Sequence, residues 1–236
     1  MRGAAVTRLD WDSDFFGFPI ARVNAVRLDE PAAEEAIEVC RAQGIRCAYL
    51  LLAADDARSS AIAQAAGFVL HDVRLTFERP VPEAAAAVPG IGPARPEQRA
   101  ALEALAREAF AHTRFLSDTG FPATRARELY AAFVRRGLDG APQRATLTDP
   151  ATEGFVVCRL DARAGVGEIE LIAVAAAGRR RGLGRALVDA ALATFAGAGL
   201  RRATVATQAA NVASQRLYQG SGFRTREASL WLHRWF

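Results

Sequence analysis

Three groups of residues have types and spacings that could do chemistry. The first is a turn in which Gly178, Gly182 and Gly184 alternate with Arg179, Arg180, Arg181 and Arg185. It follows an apolar strand that reaches Val174. It opens a helix, because Ala186, Leu187, Ala190, Ala191 and Phe195 recur at helical spacing. Glycines let backbone approach a ligand closely, and a helix N-terminus offers unpaired N–H groups with about half a positive charge. The added guanidiniums make this an anion site suited to a pyrophosphate, the alternative being a solvated Arg-rich surface. Two common phosphate loops fail here. Gly184 is followed by Arg185-Ala186 rather than Lys-Ser/Thr, and Leu187 stands where a dinucleotide fingerprint needs its third glycine.

The second group is Asn211 and Tyr218 in Asn-Val-Ala-Ser-Gln-Arg-Leu-Tyr. Asn is a good helix N-cap, and a residue seven positions on lies two turns along the same face. Both can therefore address one elongated ligand, although a Tyr at such a place is also common core. The third group is acidic: Glu168 and Glu170 share one face of the strand before the turn. They are candidates to accept a proton, or simply solvated carboxylates. A loop at 112–122 adds His112, Thr113, Arg114, Phe115 and Asp118. Arg114 suits a nucleotide diphosphate, and Phe115 or Phe121 could stack on its base. Trp11, Phe15 and Phe16 belong to the core or to a cleft wall.

Arg179-x-x-Gly182-x-Gly184 after a strand, followed by Asn211 through Gly222-Phe223, resembles the acetyl-CoA signature of the GCN5-related N-acetyltransferase superfamily. The resemblance implies that Ile172, Ala173, Val174, Arg179, Arg180, Arg181, Gly182, Leu183, Gly184, Arg185, Ala186 and Asn211 bind acetyl-CoA. It implies that Tyr218 faces the cofactor sulfur as general acid, with Glu170 as the second catalytic candidate. Direct attack of a neutral amine on the thioester follows, and no metal is called for. An amine of pKa roughly 8 is already about a tenth neutral at pH 7, so a strong base is unnecessary. The segments Asp10–Phe18, Ala109–Phe115 and Val205–Asn211 further resemble the dTDP-fucosamine acetyltransferases. That resemblance implies an acceptor of the dTDP-4-amino-4,6-dideoxyhexose type, held by Arg114, Phe115 and Asp118. Another amine (a peptide N-terminus, Lys or an aminoglycoside) and a non-catalytic acyl-CoA-binding module remain as alternatives.

The elements that must position these residues follow from periodicity. Phe16, Phe18 and Ile20 point to a strand after Gly17, continuing through Val23, and Pro31 opens a helix over 31–43. The apolar run Cys47–Ala53 suits a strand covered on both faces. A helix at 59–66 and a strand at 69–78 follow. Five prolines between Pro80 and Pro96 mark a linker. Helices at 97–112 and 123–136 come next, then strands at 144–148, 154–160 and 168–174, the turn and its helix to 197. A strand at 200–207, a helix at 211–220 and two closing strands complete the chain.

Shifting the sequence by 155 residues lays Asp56, Ser59, Gln64 and Gly67-Phe68 over Asn211, Ser214, Gln219 and Gly222-Phe223. The first copy has Ala63 in place of Tyr218 and lacks the Arg-Gly turn. The expectation is a mixed α/β acetyltransferase fold with a largely antiparallel, helix-flanked sheet. It divides into a degenerate N-terminal copy (1–80), a linker (81–96) and a catalytic domain (97–236).

All 30 basic residues are Arg, and 26 acidic residues are interspersed among them. A net charge of +4 in this pattern argues against a nucleic-acid partner. Cys40, Cys47 and Cys158 lack metal-ligand spacing and form no even set. No signal peptide or membrane span is expected, so the reading is cytoplasmic, acting on a small-molecule amine, with a homodimer left open.

Overall fold

The computed structural model describes residues 5–110, 113–140 and 143–236. In chain order the elements are β1 (Val6–Arg8), α1 (Asp10–Phe16), β2 (Ile20–Val23), α2 (Glu30–Ala42), β3 (Cys47–Ala53), α3 (Ala57–Ala65) and β4 (Val69–Pro80). Beyond the Pro-rich stretch come β5 (Gly92–Pro93), α4 (Arg99–Ala109), α5 (Arg114–Ser117), α6 (Ala123–Leu138), β6 (Arg144–Thr148), β7 (Gly154–Asp161) and β8 (Val166–Val174). The chain closes with α7 (Leu183–Gly197), β9 (Arg202–Gln208), α8 (Val212–Gly220) and β10 (Arg224–Trp235). Single 3-10 turns occupy Pro96–Gln98 and Ala176–Gly178. No helix among the described residues is long and apolar enough to cross a membrane.

The strand expected after Gly17 is β2, and the structure adds elements that periodicity left unassigned, among them the helix over residues 10–16. Its acidic first turn suits the N-terminal dipole, and Gly17 ends it in the left-handed conformation with its N–H bonded to the Ser13 carbonyl. The expected pair of closing strands is a single strand, β10, which absorbs register shifts at Thr225/Glu227 and Trp231/Leu232 instead of turning.

Among the described residues, ten strands form one sheet in the order β1-β2-β3-β10-β4-β9-β8-β7-β6-β5. Most neighbours are antiparallel; β2–β3 and β8–β9 are parallel. The two long terminal strands are exchanged. β10 follows α8 yet lies against β3, while β4 follows α3 yet lies against β9, and the two pair with each other at the centre.

Helices cover both faces. On one, α7 and α8 bury Leu187, Phe195 and Tyr218 over Phe77, Ile169 and Val205. On the other, α4 and α6 bury Leu102, Ala106 and Val134 over Phe155, Val157 and Ala173. An aromatic cluster of Phe16, Tyr49, Phe115 and Phe121 joins α1 and α5 to the strands of the N-terminal half. Gly167 shows how tightly the first face is packed, because a Cβ there would lie 2.3–2.6 Å from ring carbons of the fully buried Phe195. Gly167→Ala is expected to destabilise the protein by ~2–3 kcal/mol, measured by urea unfolding, since the ring has no free volume to retreat into.

Candidate active site

The site begins where two parallel strands part. β8 and β9 pair from Val166↔Arg202 to Ile169↔Val205 and no further, although both strands continue. The cause lies one residue on. In the β7–β8 ladder Val157 faces Leu171 and Cys158 faces Ile169, so Glu170 is the extra residue of a β-bulge. A bulge bends its strand and ends regular pairing, and here it opens a wedge between the strand ends. A cleft of about 480 Å³ occupies that wedge, with Ile172 and Gln208 on its strand edges. Tyr218 and Asn211 line it from the α8 side; Tyr130, Phe133 and Arg114 line it from the α5/α6 side.

Tyr218 is 3 % exposed and lies beside Phe77 and Phe223, with ring centroids 5.9 and 6.1 Å away. Burial pushes its phenol well up from the ordinary value, opposed by a hydrogen bond with the Ser214 side chain. The group is therefore a neutral O–H donor at physiological pH. Asn211 caps α8, its carboxamide oxygen accepting from the Ser214 N–H at 3.1 Å. Its amide NH₂ remains the part that can reach a ligand.

Upstream, Arg180 (φ 60°) and Gly182 (φ 82°) adopt left-handed conformations and fold the chain tightly into α7. No side chain caps α7, whereas Asp29, Asp56 and Asn211 cap α2, α3 and α8. The N-terminus of α7 is thus left open to a ligand. The arginines differ in what holds them. Arg179 Nε donates to the Val174 carbonyl at 3.1 Å, and Arg181 pairs with Glu153 at 3.1 Å. Arg185 binds Asp189 at 3.0 Å and the Gly220 carbonyl at 2.7 Å. Arg180 has no such partner among the described residues. The paired arginines are exposed, and such pairs are worth only ~0.2–1 kcal/mol, so an anion could recruit them. Backbone N–H groups at Leu183 to Arg185 are the fixed component.

Three expectations are corrected. Glu170 is not free to act as a base: Arg144 holds both its oxygens, at 2.8 and 2.9 Å. Arg159 lies 3.7 Å away and also holds Glu168. Asp118 does not face the cleft. It is 4 % exposed and accepts from Gly120 N–H at 2.9 Å, Trp235 Nε1 at 3.1 Å and His233 Nδ1 at 2.7 Å. Phe115 touches the cleft but is 5 % exposed, packed on Phe16 and Phe121, and so cannot stack on a base. Phe121 is buried in the same cluster. His112 lies outside the described residues. The thiols are inert too, all three being buried, with Cys40 pushed up to about 11 by burial.

Arg114 does line the cleft. Its guanidinium lies 4.0, 4.1 and 4.8 Å from the ring centroids of Trp231, Phe115 and Tyr49, and its buried Nε has no hydrogen-bond partner. Burial lowers its pKa, yet arginine stays charged in such settings. The aromatic cage fixes a cation whose hydrogen-bonding capacity is unspent. Sequence reasoning missed Asp72 on β4 and Asp12 on α1, which also line the cleft. Nothing local signals either, since each joins the site only through the pairing of distant segments.

His71, Asp118 and His233 cluster at the edge of this region, with ligand atoms within 4.8 Å of one another. The imidazoles are stacked at 4.8 Å and 26°. His71 Nε2 and His233 Nδ1 lie 3.5 and 2.7 Å from the same Asp118 oxygen, so the carboxylate holds the two rings together. His233 is fully buried, and burial brings its pKa down to about 4. The folded state therefore binds this proton less readily than the unfolded chain. The sign follows: stability is intact above pH ~6.5 and falls as pH drops toward 4, by up to ~3 kcal/mol in total. Stability curves of wild type and His233→Gln between pH 7 and 4 are expected to differ by this slope, with the variant flatter.

Residues 149–223 match the family model of the acetyltransferase (GNAT) family. The match covers just under a third of the chain and runs from the start of β7 through the turn to the end of α8. No curated protein matches the sequence. Solved structures share the fold over nearly the whole length. A GCN5-related N-acetyltransferase from Sphaerobacter thermophilus aligns with TM-score 0.66 at 14 % identity, covering 99 % of this chain and 76 % of that one. One from Kribbella flavida gives 0.64 at 15 %, covering 99 % and 88 %. A tandem GNAT protein from the clavulanic acid biosynthesis pathway gives 0.57 at 16 %, covering 92 % and 75 %. Residues 149–223 thus carry the acetyltransferase (GNAT) family pattern, and the chain as a whole shares its fold with these acetyltransferase structures.

Proposed function

We propose that this protein acetylates the primary amine of a nucleotide-activated amino sugar of the dTDP-4-amino-4,6-dideoxyhexose type. The observation that carries the reading is the continuity of one path. Ile172, Asn211, the buried phenol of Tyr218 and the caged cation Arg114 all line one cleft, and β8 leads from Ile172 toward the turn that opens the uncapped α7.

The CoA pyrophosphate sits on the N–H groups of Leu183 to Arg185, with Arg180 free to approach it and Arg179, Arg181 and Arg185 able to shift toward it. Pantetheine runs along Ile172–Val174, whose edge N–H groups are released from β9 by the bulge, with the Asn211 NH₂ beside it. The backbone at Ala173–Val174 polarises the acetyl carbonyl. The neutral amine attacks that carbon, the tetrahedral oxyanion collapses, and the C–S bond breaks. Tyr218 donates a hydrogen bond to the departing sulfur and completes the proton transfer as the thiolate leaves. A phenol pushed up by burial is too weak an acid to give its proton earlier. Arg114 meets an anionic group of the acceptor, for which a nucleotide diphosphate is suited in charge.

The N-terminal half fits a degenerate copy of the catalytic half, with residues 1–80 joined through 81–96 to 97–236. Asp56 caps α3 on the Ser59 N–H just as Asn211 caps α8 on the Ser214 N–H, and Gly67 and Gly222 share φ near 81–82°. What the first half lacks also has a physical cause. Asp29 fills the N-terminus of α2, and the Ala53 N–H bonds the Val26 carbonyl beyond the end of β2, so no wedge opens there. The test is CoA release from acetyl-CoA with dTDP-4-amino-4,6-dideoxygalactose, glucosamine, a peptide N-terminus and an aminoglycoside. Preferential use of the nucleotide sugar supports the proposal; preference for a peptide sinks it.

A further inference from the structure

With Glu170 held by Arg144, the cleft still needs a group that meets the incoming amine in its charged form. We propose that Asp72 docks the acceptor's ammonium and accepts its proton, so that the N-terminal half contributes a reacting group to the cleft. This rests on the acetyl-transfer reading above.

The placement comes from strand registry. Asp72 pairs across to Trp231 on β10, and the next residue's carbonyl accepts from the Ala209 N–H at 2.7 Å. Ala209 lies two residues before Asn211, so Asp72 sits beside the turn that launches the Tyr218 helix. Alternation along β4 gives its direction. Leu75 and Phe77 pack into the α7/α8 core, so Asp72 and Arg74 face the opposite side, where Arg114 and Tyr130 close the cleft. The wedge thus receives acetyl-CoA from the α7/α8 side and presents its carbonyl to an amine arriving from the Asp72 side.

Pairing separates Asp72 and Asp12 from the two glutamates of the cleft, which are tied to Arg159 and Arg144. Among the described residues neither aspartate has a salt bridge and both are half-buried, but only Asp72 lies on the strand that bonds the turn before the Tyr218 helix. Burial raises its pKa, with the Val73 N–H and the charges of Arg114 and Arg74 pulling it back only in part. A carboxylate so placed is a stronger base than one in water. The step balances simply: the N–H bond of the ammonium breaks, Asp72 takes the proton, and the freed lone pair forms the C–N bond. That proton passes to solvent; as the C–S bond breaks Tyr218 gives its proton to sulfur, and the second N–H proton lost in forming the amide restores the phenol. The acceptor class is sharpened accordingly: a primary amine carrying an anionic group, the amine read by Asp72 and the anion by Arg114.

The experiment uses the full chain, with CoA release measured against the same four amines, and acetyl-CoA affinity followed separately by calorimetry. For whichever amine wild type uses fastest, Asp72→Asn is expected to lower kcat/KM about thirtyfold or more, and Asp72→Glu to recover most of that loss. Acetyl-CoA affinity should stay within about twofold, which also shows that the variants are folded. Asp72→Asn turning over within about threefold of wild type overturns the inference, as does Glu170→Gln abolishing turnover while Asp72→Asn retains it. A wild type preferring a peptide removes the sugar assignment alone and leaves Asp72 to be judged on that amine. A wild type that binds acetyl-CoA but acetylates none of the four overturns both.

Discussion

Tyr218→Phe is expected to reduce turnover about 10²-fold or more while leaving acetyl-CoA affinity nearly unchanged. The substitution removes one hydroxyl and keeps the ring, so the contacts with Phe77 and Phe223 survive. Burying a hydroxyl with few partners stabilises little, so the variant should be as stable as wild type or slightly more so. What disappears is a donor aimed at charge that develops on sulfur only as the C–S bond breaks. Interactions made only in the transition state are lost from kcat and not from binding. Stopped-flow turnover with calorimetric acetyl-CoA binding separates the two quantities. Unchanged turnover would remove Tyr218 from the mechanism, and an equal loss in binding would make it a packing residue.

The second large effect is expected at the other end of the cofactor. Gly184→Asp should weaken acetyl-CoA binding about 10²-fold, with a smaller effect on kcat at saturation. The site has room, because a Cβ on Gly184 would meet only side-chain carbons of Leu217 and Val174, at 3.4 Å or beyond. An Asp in the first turn of α7 brings an anion where the pyrophosphate is proposed to lie and complements the helix dipole. Asp at such a position favours the helix, so the protein should gain stability as it loses the cofactor. Opposite signs of the two changes, read by thermal unfolding and calorimetry, are the mark of an anion site. Unaltered affinity would mean that the diphosphate binds elsewhere.

The turn and helix start proposed to hold the cofactor were legible because their signals are local. A glycine in a left-handed turn, an uncapped helix start and an Asn seven residues before a Tyr are all written within a few positions. The acceptor half was not. Asp12, Asp72, Arg114 and Trp231 come from four elements spread over some 220 residues and meet only through sheet order. Asp118 looked functional because exposed loops favour Asp, but the fold turns it inward to His233 and Trp235. The bulge at Glu170 was equally hidden, since a two-versus-one count exists only once β7 lies alongside. α1 went unassigned for a different reason: a short aromatic run satisfies helix and strand periods alike, and only the left-handed stop at Gly17 marks its end.

The exchange of β4 and β10 bears on how the chain can be made. β10 lies between β3 and β4, with Trp235 opposite Cys47, so its two sheet neighbours precede it by well over a hundred residues. Until synthesis has passed Trp235, the edges of β3 and β4 stay open and apolar, and no stable half-sheet can be completed. The early half must therefore wait for a strand made well over a hundred residues later. Shielding that edge during translation becomes a requirement of the architecture.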